Sequence, residues 1–308
     1  MNEHHKGLVF GLGAYLLWGL FPLYFPLLEP TAPVEILANR ILWSFVVLVV
    51  LVAIGRRWSW VKSLSRDHRR LALLAAAALT LSLNWGVYIY GVNSDQVVQT
   101  SLGYFINPLV SVLFGVVVFH ERLRGAQWSA VALGAFAVVV LAFDYGNLPW
   151  IALVLALCFG TYGLLKKVLD MGSLESLTAE TAMLAPLAGG YLLYLLVIGQ
   201  NSMTSGGTTM DLLLISTGVV TAVPLLLFGA AATRIPLSWV GLLQYVAPIL
   251  QFVIGVAIYQ EPMPASRWIG FALVWAALMI LAVDSLAAVR RGRLAPELEL
   301  EERSQEAH

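Results

Sequence analysis

Residues 101–128 read SLGYFINPLVSVLFGVVVFHERLRGAQW, and residues 241–268 read GLLQYVAPILQFVIGVAIYQEPMPASRW. Laid over one another without a gap, they carry Pro108 onto Pro248, Gly115 onto Gly255, Glu121 onto Glu261 and Trp128 onto Trp268. The same register extends outward over 85–144 and 225–284, where Leu141, Ala142 and Asp144 fall on Leu281, Ala282 and Asp284. Further upstream, Glu35 falls on Glu175 and Arg40 on Glu180. Unrelated apolar segments would share scattered Leu and Val, whereas here Pro, Gly, Glu, Trp and Asp coincide. The spacing predicts an internal duplication with units at 1–145 and 146–288, followed by a tail at 289–308.

Both units are far more apolar than a soluble domain. The 308 residues are 59% hydrophobic and 12% charged, against roughly 45–50% and about 25% in soluble globular proteins; mean hydropathy is +0.82. Runs long enough to cross about 30 Å of hydrocarbon occur at approximately 7–28, 35–54, 71–91, 98–119, 126–143, 149–168, 178–198, 211–231, 238–259 and 266–287. Without water, backbone groups in such runs must satisfy one another as helices, and the short alternating segments of a membrane β-barrel are absent. The first run ends in Pro22, Tyr24 and Pro26 with no small-residue cleavage site, so it reads as a retained helix and not a signal peptide.

The expected fold is therefore all-α and integral to the membrane, with ten transmembrane helices as two inverted five-helix repeats. Five is odd, so the second unit enters from the opposite side; in secondary transporters such repeats build a site near the midplane that is exposed alternately. Sixteen of the 18 Lys and Arg residues fall on one side, including Arg56, Arg57, Lys62, Arg66, Arg69, Arg70, Lys166 and Lys167. Only Arg267 falls on the other side, and Arg40 lies within a span. That bias places both termini in the cytoplasm of a multi-pass inner-membrane protein. From about residue 290 the composition turns polar, and a mobile or weakly helical tail is expected.

Balanced charge, 18 basic against 18 acidic residues, gives no field for nucleic acid. The single cysteine, Cys158, permits neither an internal disulfide nor a Cys-rich metal site. No metal or cofactor is expected. The histidines, His4, His5, His68, His120 and His308, lie in tails or loops, and HExxH, GxSxG and P-loop patterns are missing. A transporter is thus favoured over an intramembrane enzyme or a structural membrane protein. A passive channel is the other alternative, but channels usually surround an axis along the membrane normal, whereas an inverted repeat suits alternating access.

The stretches AYLLWGLFPLYF (14–25), EILANRILWSF (35–45), SLGYFINPLVSVLFGVVVFHERLRGAQW (101–128) and QYVAPILQFVIGVAIYQEPM (244–263) resemble the RarD branch of the EamA-type transporters, in the drug/metabolite transporter superfamily. The similarity covers residues 7 to 288. It implies a cytoplasmic-membrane carrier, often an exporter, of a small metabolite or drug.

Charge inside a span costs about 2.5–3.5 kcal/mol on insertion scales, which singles out Arg40. It either binds an anionic substrate group through its guanidinium fork or snorkels to the headgroups or pairs with Glu35 or Glu29. Glu180, its repeat counterpart, reads as a helix N-terminal carboxylate. Ser101, Tyr104, Pro108, Ser111 and Gly115 share one helical face with Asn107 beside it, and Gly241, Gln244, Pro248, Gln251 and Gly255 repeat it. Asn84, Tyr88, Thr217 and Thr221 add polar positions at helical spacing, and Tyr15 and Trp18 an aromatic face.

The expected substrate-binding set is Arg40, Trp18, Asn84, Tyr88, Tyr104, Asn107, Ser111, Thr221, Gln244 and Gln251, with Pro108 and Pro248 as hinges. Glu121 and Glu261 read as helix caps, Trp128 and Trp268 as interfacial anchors, and Gly7 with Gly11 as a close-packing pair. The remaining expected partners are a small-molecule substrate and the lipid bilayer, with a homodimer contact open to spans five and ten.

Overall fold

The computed structural model describes residues 3–306 apart from Arg57, Glu121, Asp170 and Pro236, and the described residues are helices joined by short turns, with no strand among them. The capping assignment for Glu121 lies outside the described residues. Helix α1 (Glu3–Gly19) continues beyond Leu20 into α2 (Phe21–Tyr24) and a 3-10 turn at Phe25–Leu28, bent from α1 by 43°. Pro22 and Pro26 account for the bend, since each lacks the N–H that would continue an α-helical ladder. Next come α3 (Pro33–Ile54), the short α4 (Ser59–Leu64) and α5 (His68–Val92), whose capping Asp67 accepts a 3.0 Å hydrogen bond from Arg70 N–H. Then α6 (Val97–Phe119), α7 (Gly125–Tyr145) and α8 (Trp150–Leu169) follow at short intervals.

The remaining chain forms α9 (Ser173–Val197), the short α10 (Ser202–Ser205), α11 (Gly207–Ala232), α12 (Leu237–Leu243), α13 (Val246–Val253) with a π-helical turn at Ile254–Ile258, and α14 (Ala265–Glu306). The described residues include 9 helices long and apolar enough to cross a membrane, besides the bent pair at the N-terminus. Large apolar side chains stand exposed around the bundle, Phe143 at 84% and Val197 at 78% among them. Water would not tolerate so broad an apolar girdle, and lipid does. The chain is a multi-pass membrane protein.

The two prolines expected to act as hinges behave differently. Pro248 lacks the donor that would bond the Gln244 carbonyl, and the backbone turns at Gln244–Tyr245 between α12 and α13. Pro108 lies inside an unbroken α6. Close packing on both sides of Pro108 explains the difference: a Cβ on Gly103 would come within 2.8 Å of the Ala152 carbonyl, and one on Gly160 within 2.8 Å of Val110. Helix α8 thus packs closely along α6 on both sides of Pro108, and α6 stays continuous. Helix α14 continues through the segment expected as a mobile or weakly helical tail, where Leu, Glu and Arg, all good helix formers, predominate.

Lipid tails supply no hydrophobic drive between helices, so close approach at small residues does much of the holding. Gly7 and Gly11 lie against Ile235 and Leu243, where added Cβ atoms would fall 2.6 and 2.7 Å away. Gly218 of α11 meets the Trp43 backbone of α3. Helices α7 and α14 run antiparallel, locked at one end by Arg124–Asp284 (2.5 Å) and at the other by Arg267–Asp144 (2.8 Å). Trp128 and Trp268, 51% and 43% exposed, lie on the outside of this pair as an anchoring role requires.

Candidate substrate site

Arg40 sits seven residues into α3, about 10 Å along its axis at 1.5 Å per residue, and only 3% of it is exposed. Snorkelling is therefore not its role. Its Nε donates to Thr221 Oγ1 of α11 at 2.9 Å. Its guanidinium carbon lies 4.2 Å from the ring centre of Trp85, 5.4 Å from Phe21 and 5.5 Å from Phe25, so three aromatic faces stabilise the cation. The bend in the first span brings Phe21 and Phe25 there, and α5 supplies Trp85. Tyr24, Tyr88 and Tyr104 stand within electrostatic reach.

The guanidinium is only partly satisfied. No carboxylate pairs with it among the described residues, and its terminal amino groups have no hydrogen-bond partner there. The ion pair expected with Glu35 is absent because the Glu35 carboxylate accepts from Ser202 N–H at 2.7 Å and Ser202 Oγ–H at 2.8 Å, fixing α10 to α3. Tyr88, 2% exposed, stacks near Phe25 and Tyr104 at 6.0 and 5.8 Å, and its hydroxyl is also without a partner. A buried cation with free donors beside a free hydroxyl is chemically suited to an anionic group of a ligand.

The structure brings part of the expected set to this point. Thr221 holds Arg40 directly, Tyr88 and Tyr104 flank it, and Asn84 orders Tyr104 by accepting its hydroxyl proton at 3.2 Å while donating to the Leu155 carbonyl at 3.1 Å. Asn107 lies further along α6, beside Gly160, with Oδ1 unpartnered. Ser111 bonds back to the Asn107 carbonyl at 3.0 Å and so serves its own helix. Trp18 packs with Tyr15 and Phe228 at 5.3 and 5.8 Å, and its carbonyl accepts from Gln251 Nε2 at 3.1 Å. Gln251 Oε1 is buried without a partner. Gln244 sits at the break before α13. Trp18 and Gln251 thus form a second locus between α1, α11 and α13, whereas the Gln244 side chain bonds the hydroxyl of neighbouring Tyr245.

Relatives with this chain's overall sequence are numerous. The EamA-like transporter family profile matches residues 5–143. A protein of Streptomyces exfoliatus named Protein RarD is 56% identical over 95% of this chain and 93% of its own length. Protein RarD of Escherichia coli (strain K12) is 40% identical over 94% and 98%, and the uncharacterized transporter YojE of Bacillus subtilis (strain 168) is 44% identical over 92% and 96%. The chain belongs to the RarD branch of the EamA-like transporter family. A solved crystal structure shares the fold of this EamA-type chain at a TM-score of 0.56, with 17% identity over 91% of this chain and 97% of that one.

Away from Arg40, the EamA-type chain holds two further buried carboxylates. Glu180 of α9, 1% exposed, accepts from Lys166 Nζ at 2.9 Å, Ser176 Oγ at 2.6 Å and Tyr162 OH at 3.1 Å, and Lys166 also contacts Ser176. It is a partner in a buried ion pair and does not cap its helix. Glu261 accepts from the Val97 and Val98 N–H groups and so caps α6, in the other half of the sequence, where it had been expected to cap the helix that follows it. Burial raises its carboxyl to about 7, against the two backbone donors and Arg267, which lower it, and with Asp95 adding to the rise. The aromatic box of Phe21, Phe25 and Trp85 did not stand out in the sequence, since only the bend at Pro22 and Pro26 distinguishes these rings from lipid-facing ones.

Proposed function

We propose that this membrane transporter is a secondary carrier, working outward from the cytoplasm by alternating access, for a small acidic metabolite or drug whose anionic group sits on Arg40. One observation carries the reading: a buried arginine with unpaired donors stands where α3 and α5 of the first unit meet α11 of the second. Holding that cation in an apolar bundle costs free energy that a purely structural side chain would not need to incur, and a ligand anion offsets it. Tyr88 and Tyr104 supply hydrogen bonds, and Trp85, Phe21 and Phe25 contact the apolar body of the ligand.

The bent α1–α2 unit counts as one span, which makes ten, arranged as two inverted sets of five with both termini cytoplasmic. The ion pairs of α7 with α14 support the pseudo-twofold relation: Asp144 near the end of α7 and Asp284 at the end of the apolar stretch of α14 (Ala265–Asp284), equivalent in the repeat, each meet an arginine at the start of the antiparallel partner helix. The break before Pro248 gives the second half its flexible element, and the channel alternative lacks a comparable observation.

The test is equilibrium binding to purified protein, read by quenching of intrinsic Trp fluorescence. Carboxylates are offered alongside the corresponding neutral amides. The wild type is expected to bind acids at least tenfold more tightly than amides, and Arg40→Gln to abolish that preference; a preference that survives the substitution would remove Arg40 from the site.

A further inference from the structure

At the basic end of the bundle a cleft of about 470 Å³ opens between α4, the start of α5 and the start of α9. Arg56, Ser59, Ser63 and Arg70 line one side, with Met171 and Glu175 opposite and Trp60 forming part of the wall. The segment 56–70 carries six basic residues, Arg56, Arg57, Lys62, Arg66, Arg69 and Arg70, against one acidic residue, Asp67. Asp67 caps α5 through the Arg70 backbone N–H at 3.0 Å and meets the Arg70 side chain at Nε, at 3.4 Å. Arg56 has no ion-pair partner among the described residues. The Trp60 indole N–H is buried and lacks a partner.

We propose that this cleft binds the headgroup of an anionic glycerophospholipid. Arg56 and Arg70 face the phosphate, the Ser59 and Ser63 hydroxyls add donors, and the Glu175 carboxylate accepts from a headgroup hydroxyl. Phosphate chemistry alone would also admit a soluble phosphate ester. A lipid is favoured because the apolar side chains flanking the cleft, Ile54 (76% exposed), Trp58 (45%) and Val61 (41%), extend outward where acyl chains would lie. Six cations beside a span end also match the headgroup layer of the anionic inner leaflet. The walls come from both sequence halves, so a lipid seated here would bridge them. The inference concerns a face remote from Arg40 and holds whether or not Arg40 binds substrate.

The full chain, purified in nonionic detergent, is titrated with phosphatidylglycerol, phosphatidylcholine or glycerol 3-phosphate while bound lipid is counted by native mass spectrometry and unfolding temperature is followed. Phosphatidylglycerol is expected to bind at least tenfold more tightly than phosphatidylcholine and to raise the unfolding temperature. Arg56→Gln/Arg70→Gln is expected to remove that tenfold preference, and Lys62→Gln/Arg66→Gln, which changes the same net charge outside the cleft, to keep it. Ser63→Trp, which fills the cleft without altering charge, is expected to lose binding as well, which covers the case in which the double Arg variant does not fold. Equal loss in both charge pairs, equal binding of phosphatidylcholine, retention by Ser63→Trp, or the same stabilisation by glycerol 3-phosphate alone would overturn the proposal.

Discussion

Replacing Arg40 with Met separates binding from structure. Met follows the path of the Arg40 stem to about the depth of Nε, so the stem stays packed while the space of the guanidinium head between Phe21, Phe25 and Trp85 is vacated. Removing the cation recovers about 2.5–3.5 kcal/mol of insertion cost. Against this stand the charged hydrogen bond to Thr221, worth about 1.5–3 kcal/mol, and the desolvated contact with Trp85 at 4.2 Å, worth about 2 kcal/mol. Loss exceeds gain by at most about 2.5 kcal/mol, so Arg40→Met is expected to reach the membrane at near wild-type abundance and to unfold within about 10 °C of wild type. Ligand affinity should fall at least 100-fold, since about 3 kcal/mol of charge-assisted hydrogen bonding to the anion disappears. Thermal unfolding in detergent and ligand titration measure the two quantities. A structural Arg40 would give the reverse: a large drop in unfolding temperature and abundance, with unchanged affinity in the folded fraction.

Further substitutions test the surrounding framework. Gly218→Ala would place a Cβ 2.5 Å from the Trp43 backbone, and is expected to cost about 1–3 kcal/mol; Gly163→Ala, with nothing within 4 Å, should be neutral or gain up to about 1 kcal/mol from helix propensity, as steric-trap or denaturant unfolding would show. Glu180→Gln leaves Lys166 without its carboxylate and should destabilise by about 3 kcal/mol, while adding Lys166→Met should restore most of the loss; failure of the double variant to recover would remove the ion pair as the cause. The Glu261 carboxyl is raised in the folded chain to about 7 from 4.5. The folded state therefore holds the proton more tightly, and this group's contribution is greatest below pH 4.5 and declines as pH rises through about 7. Unfolding temperatures of wild type minus Glu261→Gln should fall across that window, and a flat difference would contradict the assignment.

Much of the architecture was legible because lipid imposes a simple rule: an apolar run of about 20 residues must be a helix. Every expected run has a helical counterpart, and Arg40 stood out because a cation in such a run is expensive. Thr221 was legible through spacing alone. Phe21 and Phe25 were not, because a Phe in an apolar span carries no mark of which way it faces; the 43° bend decides it. Pro108 and Pro248 share a register, yet α6 stays continuous where α8 packs along it and only the second site breaks. The carboxylates were misassigned for a common reason. Glu180 and Glu261 were judged against their own helices, whereas their partners, Lys166 on α8 and the start of α6, are set by tertiary packing.

Counterflow in proteoliposomes tests the central claim most directly. Vesicles containing the full chain are preloaded with an unlabelled acid that binds in the fluorescence assay, then given the labelled acid outside, with Arg40→Met vesicles in parallel. Alternating access through the Arg40 site predicts transient, saturable accumulation of label above the external concentration in wild-type vesicles and none with Arg40→Met. Equilibration without overshoot, or an overshoot that Arg40→Met leaves intact, would contradict it.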